Sequence, residues 1–191
     1  VLYCGGTPVF ADINPKTYNI DPASIREKIT EKTKAIVAVD FTGQAVELEE
    51  IRKICEEYNL ILIEDAAHSI GTKYDGKPVG SIADMTTFSF HPVKTVTSGE
   101  GGAVTTNDEA LYRKLRLYPT HGITRNQEEM LNPSDSGWYY EQVDLGYNYR
   151  MTDIQAALLI SQLGKLPAFS ARRKEIVKHY DEVFGEMPEI I

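Results

Sequence analysis

Apolar residues follow two rhythms along this chain. Short runs, PVFADI (8–13), AIVAVD (35–40), LILIED (60–65), TTFSF (86–90) and AVTT (103–106), are dense in apolar and β-branched side chains. Such runs, bounded by Gly, Pro, Asn or Asp, predict strands. Between several of them the spacing lengthens to three and four residues, the mark of an amphipathic helix. Asp21 and Pro22 offer an N-cap and a first-turn proline ahead of Ile25 and Ile29. In ELEEIRKICEEY, Leu48, Ile51, Cys55 and Tyr58 share one face. Asp108 is placed to cap a helix that buries Leu111, Leu115 and Tyr118. Thr152 and Gln155 form a capping-box pair ahead of an apolar helix expected to end near Leu163, and a charged helical segment is expected over 168–184.

Strands apolar on both faces that alternate with helices predict an α/β domain with a mostly parallel sheet flanked by helices. The polar stretch 125–142, which includes NPSDSGWYY, is long for a plain connection. It reads either as an active-site loop or lid, or as a surface excursion.

Composition narrows the function. Among 191 residues, 42% are hydrophobic and 25% charged, ordinary values for a globular protein. Twenty basic against 28 acidic residues give a net charge of −8, which argues against a nucleic-acid partner. No apolar run approaches the roughly 18–20 residues needed to cross a bilayer, so no membrane partner is expected. Cys4 and Cys55 lie far apart, without a CxxC, and fit a reducing cytoplasm. The chain opens without Met and ends at MPEII, and it is read as a piece of a longer protein.

Ligands of parallel α/β sheets bind beyond the carboxyl ends of the strands. Two predicted strands end unusually. LILIED runs into Asp65, with His68 one turn later; a carboxylate there needs partners or a cation, although an N-cap or structural role is the commoner explanation. FSFHPVK brings Ser89, His91 and a strand-breaking Pro92, then Lys94. Lys94 sits among apolar residues and glycines, with no acidic residue within three positions, whereas most of the other eleven lysines lie on charged helices or polar turns. Partial burial would favour the neutral amine, a nucleophile or base. GEGGAV fails GxGxxG, and GxxxxGK[ST], GxSxG and HExxH are absent. Four histidines and two cysteines make no cluster of zinc spacing, so no metal is expected. An aspartate and a lysine on neighbouring strand ends suit pyridoxal 5'-phosphate, which needs an amine for its aldehyde and a carboxylate for its pyridine nitrogen. Taken alone, many α/β proteins would offer that pair by chance.

Three longer runs are more specific. IEDAAHSIG, FSFHPVKTVTSGEGGAVTTND and DLGYNYRMTDIQAALLISQL resemble the DegT/DnrJ/StrS family of nucleotide-sugar aminotransferases, and the resemblance runs through essentially the whole chain in order. It implies the large domain of the fold-type I, aspartate aminotransferase-like enzymes. Residues 1–165 would be part of that pyridoxal-phosphate-binding domain, and 166–191 a helix leading to a small C-terminal domain. By resemblance, Lys94 matches the lysine that binds the cofactor aldehyde and Asp65 the carboxylate on the pyridine nitrogen. His68 matches a contact to the ring on its 3-hydroxyl side and Ser89 a hydroxyl donor to the phosphate. Asn148 matches an asparagine that reaches the phosphate of the neighbouring subunit's cofactor, implying a homodimer with shared sites. The implied reaction is amino transfer from L-glutamate to a UDP-linked 4-keto-6-deoxy sugar in surface-glycan biosynthesis, in the cytoplasm.

Other readings stay open at this point. Family members acting on another keto sugar or on a cyclitol would share all these residues. A non-catalytic homologue would keep the cofactor, and a plain α/β binding domain would lack it. The sugar 3-dehydratases of the family carry a histidine at the Lys94 position and are disfavoured.

Overall fold

A computed structural model describes residues 1–189. The strands are β1 (Ala35–Val39), β2 (Ile61–Asp65), the short β3 (Lys73–Tyr74) and β4 (Lys77–Pro78), β5 (Met85–Ser89), β6 (Gly102–Thr105), β7 (Ile123–Thr124) and β8 (Glu141–Gln142). The helices are α1 (Pro22–Lys28), α2 (Leu48–Tyr58), α3 (Glu109–Leu117) and α4 (Asp153–Phe184). The main sheet has the order β1-β2-β5-β6. β1, β2 and β5 run parallel, and β6 returns antiparallel to β5. The mostly parallel α/β sheet expected from the pattern is present.

One face of this sheet is the core. Ile36, Ala38 and Leu62 pack against Leu48, Ile51, Ile54 and Cys55 of α2 and Ile25 of α1. Full burial of an aliphatic side chain there contributes about 1.5–3 kcal/mol. Tyr58, placed on the same stripe by its spacing, is exposed at the end of α2, where Asn59 caps the helix in the left-handed region. Ile54 takes its place inward. Arg52 of α2 reaches across to Asp84 at 3.0 Å and to the carbonyl of Ile82 at 2.6 Å, tying the helix to the entry of β5. On the opposite face Val37, Val39, Ile61 and Val104 are exposed, so the described helices leave that side open.

Caps fall where expected. Asp21 accepts from the Ala23 N–H at 3.0 Å, with Pro22 in the first turn, and Asp108 accepts from Ala110 at 2.7 Å and Leu111 at 2.9 Å. Thr152 and Gln155 close a reciprocal capping box. Three further expectations need correction. Residues 8–13 build no ladder: a single bridge joins Ile13 to Ile20 around a turn at Asn14–Asn19. Pro8 offers no N–H, Phe10 is exposed, and the Asp12 N–H is spent on Ser24 Oγ at 2.8 Å. Leu111, Leu115 and Tyr118 are only half-buried, and α3 has no fully buried residue.

The third correction concerns α4. It does not stop near Leu163 but continues through Pro167 to Phe184 as one helix. The proline removes one hydrogen bond, and the helix formers on either side carry the helix on. The unit boundary expected at 165/166 therefore falls inside a helix, and the last two residues of the expected 166–191 segment lie outside the described residues. Ile51→Ala would open a cavity beneath the sheet. We expect a loss of about 2–5 kcal/mol in chemical denaturation, the range for large-to-small core changes.

Candidate active site

Register determines what the sheet presents at its carboxyl edge. Asp65 pairs with Thr87 and Glu64 with Thr86. Side chains alternate between faces. Asp65, Thr87 and Ser89 therefore share the open face, while Glu64 and Thr86 share the core face. Backbone bonds stitch the strand exits together: the Asp40 N–H donates to the Asp65 carbonyl at 3.0 Å and the Ala66 N–H to the Thr87 carbonyl at 2.9 Å. Three turns consequently leave one edge, carrying residues 40–46, 66–72 and 90–101.

Asp65 is half-buried, and its Oδ1 accepts from the Ala67 N–H at 3.1 Å. Part of the carboxylate therefore does the structural work that a strand-end aspartate often does. Oδ2 has no hydrogen-bond partner among the described residues. His68 stands exposed in the following turn, held by the Ser69 N–H on the Ala66 carbonyl at 3.0 Å. Ser89 Oγ accepts a long bond from the His91 N–H at 3.4 Å, which leaves its own hydroxyl proton to donate elsewhere.

Lys94 is half-buried in a turn that is fastened at both ends. Phe90 and Val96 are its buried anchors. The Phe90 N–H donates to the Gly101 carbonyl at 2.8 Å, the Ser98 N–H to the Phe90 carbonyl at 3.0 Å, and the Lys94 N–H to the His91 carbonyl at 3.0 Å. Gly101 has φ +151, and a Cβ there would collide with Ser98 Oγ, so this return into β6 requires glycine. Lys94 Nζ forms no ion pair among the described residues.

Asn148 lies apart from these four residues, on the segment bridged to Thr120. It is exposed, and its Oδ1 accepts from Arg150 Nε at 2.9 Å. The same module holds the 125–142 loop between β7 and β8. That loop is organised around Glu141, whose carboxylate accepts from the N–H groups of Leu131 at 2.5 Å and Asn132 at 3.1 Å, from Asn132 Nδ2 at 2.9 Å and from the Tyr139 hydroxyl at 3.3 Å. Those bonds, Asn132's foremost, hold the Glu141 carboxyl below its ordinary range.

A lysine amine, a carboxylate with a free oxygen and a hydroxyl donor at one sheet edge form a donor set that fits pyridoxal phosphate. The family model of the DegT/DnrJ/EryC1/StrS aminotransferases matches residues 1–191. The chain belongs to that family. Its aminotransferases depend on pyridoxal phosphate. Among curated relatives, the chain is 39% identical over 188 residues to a UDP-4-amino-4,6-dideoxy-N-acetyl-beta-L-altrosamine transaminase from Helicobacter pylori, covering 98% of this chain and 48% of the relative. It is 41% identical over 187 residues to a GDP-perosamine synthase from Caulobacter vibrioides, covering 98% and 47%. Among solved structures it superposes with TM-score 0.90 on Helicobacter pylori PseC, an aminotransferase involved in the biosynthesis of pseudoaminic acid, at 39% identity over 98% of this chain and 48% of that one. A putative sugar aminotransferase from Streptococcus pneumoniae in its PLP form gives TM-score 0.84 at 33% identity, over 97% and 50%. The chain spans about half the length of the relatives it matches.

Within this DegT-family domain, reading the sequence overlooked the loop after β1. Thr42 and Gly43 both take positive φ, +56 and +94. The buried Asn19 clamps the loop, donating to the carbonyls of Gln44 at 3.0 Å and Ala45 at 3.1 Å and accepting from the Phe41 N–H at 2.9 Å. Gly43 lies directly against the His68 carbonyl, where a Cβ would come to 2.9 Å. The FTG run after a strand is the only sequence signal for it. Gly43→Ala combines a strained φ with this backbone clash. We expect a loss of about 1–3 kcal/mol in denaturation, with faster amide exchange in the 66–72 turn.

Proposed function

We propose that the intact protein is a pyridoxal-phosphate-dependent sugar aminotransferase that moves an amino group from L-glutamate to a nucleotide-linked 4-keto-6-deoxy sugar. The observation that carries this reading is the sheet edge itself, where Asp65 and Ser89 end adjacent parallel strands and the Lys94 turn leaves β5 beside them. Family membership supports it, and so do the names of the relatives. A UDP-linked acceptor is our preferred substrate. One relative is named for a UDP sugar and another, of similar identity, for a GDP sugar.

When bound, pyridoxal phosphate supplies an aldehyde for the amine and a ring that accepts the electron pair of the broken substrate C–H bond. Lys94 Nζ would hold the group covalently and, as a free amine, would carry a proton to and from the substrate carbon. Asp65 Oδ2 would stabilise a protonated pyridine nitrogen. Ser89 Oγ–H would donate to the phosphate, and His68 would contact the ring. Asn148 completes the phosphate site of a second subunit, so the working form is a homodimer in the cytoplasm, and residues 166–191 lead to its small domain.

Lys94→Ala in the intact protein should lower amino transfer by at least about 10²–10⁴-fold, the usual span for a lost acid–base group. It should also abolish borohydride-dependent labelling, which maps to Lys94 in the wild type. A labelled lysine elsewhere would refute the assignment. Assays with glutamate against UDP-, GDP- and dTDP-linked 4-keto sugars identify the acceptor. Mixing Lys94→Ala with Asn148→Ala protein should restore activity, because one site of each heterodimer is intact. No recovery in exchanged dimers would place Asn148 in its own subunit's site.

A further inference from the structure

Two carboxylates lie buried beneath this edge, and the proposed chemistry uses neither. Asp40 and Glu64 are both 0% exposed. Glu64 pairs in register with Ala38, and Asp40 stands two positions further along β1, so the two acids are diagonal neighbours on the core face. Each oxygen of Asp40 accepts one bond, Oδ1 from the Val46 N–H at 3.0 Å and Oδ2 from the Ser69 hydroxyl at 2.5 Å, and a carboxylate has room for more. Glu64 Oε2 is likewise engaged, by Thr86 Oγ1 at 2.7 Å and the Gly80 N–H at 3.3 Å. Glu64 Oε1 is the one buried side-chain polar atom without a partner among the described residues.

Two adjoining buried carboxylates cannot both be charged at acceptable cost. The donors around Asp40 favour its charge. The vacant oxygen of Glu64 is where a proton makes a bond instead of leaving an orphan. We propose that Asp40 and Glu64 share one proton, carried on Glu64 Oε1 and donated to Asp40, and that this bond positions the Asp65 strand end and the His68 turn. Asp40 is the hub of that arrangement: its N–H holds the Asp65 carbonyl, and its carboxylate holds Ser69, the residue after His68.

The surroundings agree. Burial, then Asp40, raises the Glu64 carboxyl to about 6, and burial also raises Asp40. Asp65, next along β2, adds a negative charge that bears on Asp40. On this face α2 brings Leu48, Ile51 and Cys55, whose thiol burial pushes up to about 11 and keeps neutral, while Arg52 is committed to Asp84. No cation pairs with either acid among the described residues.

Because the folded-state value of Glu64 is raised, its contribution to stability is present below its ordinary 4.5 and is lost as pH rises through about 6. Over that window the folding equilibrium changes by roughly 30-fold. Glu64→Gln mimics the protonated acid, since an amide can donate to Asp40 and accept from Thr86. In the intact holoenzyme, the melting temperature of Glu64→Gln relative to wild type should climb between pH 4.5 and 7 and then level off. A difference independent of pH overturns the shared proton. Should the variant not fold, infrared spectra of the wild type decide: a buried carboxylic-acid band fading near pH 6 is expected, and its absence is fatal to the idea. Amide exchange at Ala66 and Ser69 should be slower in Glu64→Gln than in wild type at pH 7.5. Equal exchange removes the positioning role. The proton rests on geometry alone, and its bearing on the site rests on the aminotransferase reading. These readouts need no turnover, so each can fail without the other.

Discussion

Three register pairs between β2 and β5, from Ile63–Met85 to Asp65–Thr87, set the geometry of everything chemical in this domain. A slip of β2 by one residue would turn Asp65 into the core and swing Glu64 out of it, leaving Ser89 of β5 alone on the open face, because side chains alternate along a strand. The core face prevents such a slip. Thr86 Oγ1 bonds Glu64 across the strands, and the carboxylate of Asp84, itself held by Arg52, accepts from the Leu62 N–H at 2.7 Å. Polar groups on the buried side thus hold the register that displays the reactive groups on the open side.

Much of this was legible in residue order, for definite reasons. Alternation of apolar strands with amphipathic helices implied the parallel sheet. Asp21, Asp108 and Thr152 mark helix starts because a short polar side chain can bond the free N–H groups of the first turn. Lys94 stood out by its neighbours, and Asp65 by ending an apolar strand. Residues 8–13 misled because a run rich in apolar residues says nothing about whether a partner strand lies alongside, and here the N–H of Asp12 turns to Ser24 instead. The end expected near Leu163 erred in the other direction: the change from apolar to charged positions does not break a helix, and even Pro167 weakens this one without ending it.

The deeper omission was Asp40 with Glu64. AIVAVD and LILIED read as apolar strands, and nothing in their order marks Asp40 or Glu64 as a buried acid. Only the register shows that Glu64 faces inward, toward α2, while Asp65 beside it faces outward. Burial of a charge depends on which elements close over it, and that is long-range information. Asn19 escaped notice in the same way, since its three bonds reach residues more than twenty positions away.

The antiparallel return of β6 has a further consequence. A parallel neighbour would have needed a long crossover, leaving the segment after β5 free to vary in length. Here the segment leaves and rejoins the sheet at adjacent strands, and it is closed by the bond from Phe90 to Gly101. Lys94 therefore rides on a ring of fixed circumference. An insertion or deletion between positions 91 and 97 could leave the sheet intact and still move the amine out of register with Asp65. In the divergence of such domains, this turn should tolerate exchanges of side chain far more readily than changes of length.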